Sequence, residues 1–201
     1  MKKTIIILLS SIIYCTESNN TNLIWDVLQD NDVWIGVSQY DMKIETAKCK
    51  AEIIIDATFP QILDVIEDIE NYKIFFDSII ISDINDKDEV RLAIDMPLFF
   101  SSRDFTIVFN KIVSDSNVKF LYRPVNSLSY PVDDKYIRLV EANGGWYLDK
   151  VDSYNTKVSY IWKGDLLGNF PKRLYPTSWT KQGNEIMNNL IDEVNKRKNN
   201  K

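Results

Sequence analysis

The C-terminal part of the chain carries a solitary amphipathic helix. Ile186, Leu190 and Val194 step by four residues, Met187 and Ile191 lie beside them, and Asn188, Asp192, Asn195 and Lys196 fill the outer face. An apolar stripe of that kind has to be buried on another element. What precedes it is nearly all of strand period. Residues 79–84, 89–96, 104–113, 118–123, 135–141, 145–151 and 157–163 are separated by turn-like clusters such as Asn85-Asp86-Lys87-Asp88 and Ser114-Asp115-Ser116-Asn117. An antiparallel sheet is therefore the partner on which the helix must lie.

Upstream the periods alternate. Residues 23–29 read as a short amphipathic helix after Thr21-Asn22, and 33–39 as a strand. In 48–56, Cys49, Ala51, Ile53 and Ile55 point one way and Lys48, Lys50 and Glu52 the other, the pattern of a half-buried strand. Ile62, Leu63, Val65, Ile66 and Ile69 then share a helical stripe opposite Asp64, Glu67, Asp68 and Glu70. Thr58 can cap this helix and Pro60 suits its first turn, so 59–70 is read as helical, with an aromatic connection through Tyr72, Phe75 and Phe76. At 201 residues, without internal repeats, the chain is one domain of the α+β class.

Composition removes several functions. With 24 basic and 29 acidic side chains the net charge is −5, and the one dense basic run is Lys196-Arg197-Lys198, so nucleic acid is not an expected partner. The chain has no histidine, which removes Ser-His-Asp triads, Cys-His pairs and nearly all catalytic zinc designs. Two cysteines rule out a disulfide framework or a thiolate metal cage. Cys49, on the apolar face of its strand, reads as a buried inert thiol. Asp86, Asp88, Asp133 and Asp134 fall in turns and read as solvated, not catalytic.

The N-terminus has the form of a bacterial secretory signal: Lys2-Lys3, then a mostly apolar stretch to Tyr14, then Cys15. That stretch is about half as long as a helix needs to cross a bilayer. Residues 1–15 are expected to direct secretion, with Cys15 placed where a lipoprotein carries its acylated cysteine, although Tyr14 is larger than the residue usual before it. Residues 16–21, polar and Asn-rich, read as a tether, and 22–201 as the folded domain. The expected location is periplasmic, free or anchored by the lipid.

Four stretches, taken in order, resemble the START domain family of lipid-binding proteins. They are Ala57-Thr58-Phe59-Pro60-Gln61-Ile62-Leu63-Asp64-Val65, Met96-Pro97-Leu98-Phe99-Phe100-Ser101-Ser102-Arg103-Asp104-Phe105, Gly144-Gly145-Trp146-Tyr147-Leu148, and Asp165-Leu166-Leu167-Gly168-Asn169-Phe170-Pro171-Lys172-Arg173-Leu174. The resemblance covers about residues 25–194. It departs where Leu148 leads to Asp149-Lys150 instead of a proline, and where Tyr175-Pro176 stands for an asparagine.

The resemblance implies a helix-grip fold, a curved antiparallel sheet wrapped around the C-terminal helix with a hydrophobic cavity between them. It implies a lipid or other hydrophobic small molecule as ligand, no catalytic residue, no cofactor and no metal, and a monomer that contacts a membrane surface through its anchor or basic tail. Residues that would line the cavity are Phe105, Phe109, Phe120, Tyr122, Trp146, Tyr160 and Trp162 from the sheet and Met187 and Ile191 from the helix, with Trp179 closing one end. Core packing would use the same side chains. Arg103 either grips a polar head group or pairs with Asp104 or another acid to hold its hairpin. The connection from Gly164 to Pro171 would serve as a movable lid. Two other readings stay open: a cavity enzyme of the cyclase or hydrolase type on the same fold, and a module that binds a protein partner.

Overall fold

The computed structural model describes residues 24–38, 47–96, 100–163, 167 and 170–200. The signal, Cys15 and the tether lie outside the described residues, as do Pro97, Leu98 and Phe99 and most of the connection that opens at Gly164.

Among the described residues ten strands form a single sheet: β1 (Trp25–Asp30), β2 (Trp34–Ser38), β3 (Lys48–Ile55), β4 (Ile79–Ile84), β5 (Val90–Ile94), β6 (Arg103–Val113), β7 (Asn117–Pro124), β8 (Ile137–Arg138), β9 (Gly144–Lys150) and β10 (Thr156–Lys163). The order across the sheet is β1-β2-β3-β10-β9-β7-β6-β5-β4, every neighbour antiparallel, with β8 beside β6. Helix α1 (Phe59–Ile66) and the short α2 (Tyr72–Phe75) sit between β3 and β4, and α3 (Tyr175–Asn199) closes the chain. This is the α+β arrangement of a curved antiparallel sheet gripping a C-terminal helix.

Local chemistry sets the boundaries of α1. The Thr58 backbone N–H donates to Oε1 of Gln61 at 2.8 Å, the reciprocal half of a capping box, and proline occupies the first turn. The helix stops at Ile66, short of the expected Glu70. The hydroxyl of Tyr72 donates to the Ile66 carbonyl, satisfying a helix-end acceptor and drawing Tyr72, Phe75 and Phe76 into the core through a 3-10 turn at Ile69–Asn71.

Two other expectations are corrected. The expected helix over 23–29, of which 24–29 are described, is not formed: Trp25–Asp30 is an edge strand paired with β2, Trp25 opposite Ser38 and Asp30 opposite Trp34. A helix so short has little intrinsic stability in water, whereas the hairpin gains a ladder and an edge-on Trp25–Trp34 contact at 6.3 Å. Residues 135–141 supply only the two residues of β8, and these pair in parallel with Arg103 and Asp104. The β7 ladder ends where Pro124 faces Ile107, so that flank of β6 is open to β8 only at its first residues.

Helix α3 buries Tyr175, Trp179, Gly183, Met187, Leu190 and Val194, one stripe along its length. It approaches the sheet closely at Gly183, where a Cβ would stand 2.9 Å from Cδ1 of Ile35 and 3.2 Å from Cβ of Ala51. Gly183→Val is expected to lower stability by about 2 kcal/mol, from overpacking, and the melting midpoint by about 4–8 °C. A midpoint within 1 °C of the parent would mean that α3 sits farther from β2 and β3 than this.

Candidate ligand cavity

The face of the sheet turned toward α3 is set by strand alternation. On β6 it carries Arg103, Phe105, Ile107 and Phe109, on β7 Phe120 and Tyr122, on β9 Trp146 and Leu148, and on β10 Tyr160 and Trp162. Two adjoining spaces lie between this face, the α2 region and α3. The inner chamber, about 50 Å³, is bounded by aromatic and aliphatic side chains: Tyr72 and Phe76, Ile79, Leu92 and Ile94, Phe105 and Phe109, Tyr122, Trp146 and Tyr160, with Ile186 from α3. Ser78 and Gln182 are its remaining contacts, and no charged side chain lines it.

The mouth, about 260 Å³, shares Ser78, Ile94 and Gln182 with the chamber and is charged: Asp77, Asp95, Arg103, Lys181 and Glu185 line it, with Met96 and Leu139 as apolar wall. The Ser78 N–H donates to Oε1 of Glu185 at 2.9 Å, which ties α3 to the rim. Arg103 is 1% exposed, and its guanidinium donates to the carbonyls of Ser101 and, at 3.0 Å, Leu167. Burial pulls its pKa below the ordinary arginine value, partly opposed by Tyr175.

Arg103 does not pair with Asp104. Successive strand residues face opposite ways, so Asp104 points outward, under the segment that carries β8. There Arg138 grips it with Nε to Oδ1 and Nη2 to Oδ2, both 2.8 Å, and Arg91 Nε reaches Oδ2 at 3.0 Å. Burial works to raise the Asp104 pKa, but the hydrogen bonds and charges of Arg138 and Arg91 outweigh it and hold the carboxyl below its usual range. A carboxyl with a lowered folded pKa stabilises fully above the unfolded value and loses that contribution as pH falls through the folded one. The melting midpoint is therefore expected to drop on acidification below about pH 4, and to drop less steeply in Asp104→Asn. Equal acid slopes for the two proteins would place the acid sensitivity elsewhere.

This architecture has counterparts among solved structures. A STAR-related lipid transfer protein from Xanthomonas axonopodis matches with a TM-score of 0.73 at 16% identity, covering 85% of this chain and 98% of that one. Human StAR-related lipid transfer protein 5 matches at 0.72 with 15% identity, covering 86% of each chain. The Zhui aromatase/cyclase from Streptomyces sp. R1128 reaches 0.51 at 13% identity, over 75% of this chain and 94% of that one. The chain has the START fold. No protein-family model and no curated protein matches the sequence, so the likeness is one of architecture.

Within the START fold the expected ligand residues separate into groups. Phe105, Phe109, Tyr122, Trp146 and Tyr160 line the inner chamber, and Arg103 lines the mouth. The others line neither space. Phe120 stacks on Phe109 at 4.5 Å, and Trp162 on Tyr160 at 5.4 Å. Trp179 meets Tyr175 edge-on at 5.1 Å, Met187 is fully buried in the core, and Ile191 packs against it half-buried. Pattern reading did not assign Tyr72, Phe76, Gln182 or Ile186 to the cavity. Ile186 belonged to the helical stripe and Tyr72 and Phe76 to the aromatic connection, so the signal was present without the orientation.

The other candidate groups are accounted for structurally. Cys49 is fully buried and burial pushes its thiol pKa far up, so the thiol is inert. The basic tail is engaged within the fold: Lys196 with Glu193 at 3.0 Å, Arg197 with Asp68 at 2.6 Å, Lys198 with Asp56 at 3.7 Å. Among the described residues no cluster of His, Cys, Asp or Glu could hold a metal ion, and no helix is long and apolar enough to cross a membrane.

Proposed function

We propose that the protein binds a hydrophobic small molecule, of lipid or isoprenoid type, between the sheet and α3, and carries or sequesters it without chemical change. The observation that carries this reading is the polarity of the cavity: a chamber without charged lining residues behind a mouth lined by Arg103, Lys181, Asp77, Asp95 and Glu185. An amphiphile would seat its apolar body inward and its polar group among these charges. At about 25 cal/mol per Å² of apolar area, burying 300–400 Å² gives roughly 8–10 kcal/mol before ordering costs.

Chamber and mouth together are near the small end of ligand pockets, about 300 Å³. Either the ligand is compact or α3 shifts outward on binding. Secretion directed by residues 1–15, with acylation at Cys15, belongs to the same proposal and would hold the carrier at a membrane face.

The test is native mass spectrometry of the full-length protein expressed in a bacterial host, followed by organic extraction. An apolar molecule bound near one-to-one supports the carrier reading. A clean apo mass, with no uptake from a lipid panel, overturns it and favours the partner-binding reading. The same mass spectrum reports whether the signal has been cleaved and whether Cys15 carries acyl chains.

A further inference from the structure

The deep end of the chamber holds one polar feature that the carrier reading does not use. The hydroxyls of Tyr122 on β7 and Tyr160 on β10 face each other at 3.0 Å, reaching across β9. A pair of phenols has two O–H protons, and their mutual bond uses one. Neither hydroxyl has another hydrogen-bond partner among the described residues, so one proton and several lone pairs are left for a third group. Tyr72, by contrast, spends its proton on the Ile66 carbonyl.

The surroundings define what that third group is. Desolvation pushes Tyr160 up to about 12 and Tyr122 well above its ordinary value, so both stay neutral. With no charged residue in the lining, phosphate or carboxylate would have no counter-charge there. Ring faces surround the pair: Trp146 lies 4.5 Å and Trp162 5.4 Å from Tyr160, and Phe109 5.8 Å from Tyr122. Strand β9 passes close behind the pair, and at Gly144 there is room for no side chain: a Cβ there would stand 2.7 Å from the Tyr122 hydroxyl and closer still to the Ile161 carbonyl oxygen.

From this we infer that the Tyr122–Tyr160 pair is a specificity anchor, selecting an uncharged aromatic or fused-ring ligand that carries a hydroxyl or carbonyl at its inner end. The inference rests on the proposed binding of an apolar molecule in this cavity and names the ligand's chemical class. The neutral polar group replaces the missing partner of the tyrosine pair, the ring system lies against Trp146 and Phe109, and any charged group stays at the mouth.

The experiment is calorimetric titration of the full chain at pH 7 with two near-isosteric probes, 2-naphthol and 2-methylnaphthalene. The parent protein is expected to bind 2-naphthol about tenfold more tightly, the effect of one well-made buried hydrogen bond. In Tyr122→Phe/Tyr160→Phe the preference should disappear, 2-naphthol losing about tenfold in affinity relative to 2-methylnaphthalene. Removing both partners of a buried pair is close to neutral for folding, and melting curves check that the double variant remains folded. Equal affinities in the parent, or a preference that survives in the double variant, overturns the anchor while leaving the carrier reading in place. Binding of neither probe overturns the anchor as well, and counts against the cavity reading on which it rests.

Discussion

Asp104→Ala is expected to lower folding stability by about 3–5 kcal/mol and the melting midpoint by about 10 °C. The carboxylate is fully buried and accepts from Arg138 twice and Arg91 once, while both arginines are themselves mostly covered. Alanine leaves two guanidinium groups with only the more exposed Asp133, 3.6 Å from Arg91, as counter-charge, and that poorly compensated desolvation is the main cost. The effect should be propagated by β8, because this short segment is held to β6 by the backbone N–H groups of Ile137 and Leu139, and Arg138 between them is the bidentate partner. Urea unfolding of parent and variant, compared at constant m-value, gives the measurement. A loss below 1 kcal/mol would show that solvent reaches the arginines and that the carboxylate is not structural.

The second large effect is at Trp179. Its ring is 1% exposed, meets Tyr175 edge-on, and belongs to the buried stripe of α3 that contacts the sheet. Trp179→Ala is expected to cost about 3–5 kcal/mol through lost contacts and the cavity left behind. Trp179→Phe should cost far less, about 1 kcal/mol or under. It keeps a ring against Tyr175 and removes an indole N–H that is buried with no hydrogen-bond partner among the described residues. An unpaired buried donor is worth about 1–3 kcal/mol of penalty, which offsets much of the lost ring area. If chemical denaturation finds the two variants equally damaged, the indole N–H is satisfied in solution and the packing argument fails at this residue.

The sequence patterns that proved most informative are those whose period is enforced by burial on one side. The stripe of Met187, Leu190 and Val194 and the alternation of Cys49, Ala51 and Ile55 are both visible in the chain and both fully or nearly buried in the structure. Residues 23–29 misled because a stretch this short that satisfies a helical stripe also satisfies an edge strand, and the choice was made by β2, not by local propensity. The stretch around β8 misled for the opposite reason. Its alternation fits a full strand, but β7 already occupies most of that flank of β6.

The site shows the same division. Alternation put Phe105, Phe109, Phe120, Tyr122, Trp146, Tyr160 and Trp162 on one face of their strands, and the structure keeps all of them there. Which of these rings meets open space and which meets another ring depends on where the curved sheet passes α3, α2 and their connections. Phe120 and Trp162 stack on neighbours, while Tyr122 and Tyr160 bring their hydroxyls together across an intervening strand. That meeting depends on register, Tyr122 opposite Gly144 and Tyr160 opposite Trp146, and register belongs to the sheet as a whole.

Fold class, the exclusion of histidine chemistry and the apolar character of the sheet face that α3 covers were all legible in residue types and their period. Arg103 and Asp104 stand side by side, and adjacency in the chain suggested an ion pair. Packing separates them, Arg103 to the cavity mouth and Asp104 to a place beneath Arg91 and Arg138. The physical reason is that a side chain's face follows from period, a local property, whereas its partner follows from which distant strands, helices and loops are packed against that face.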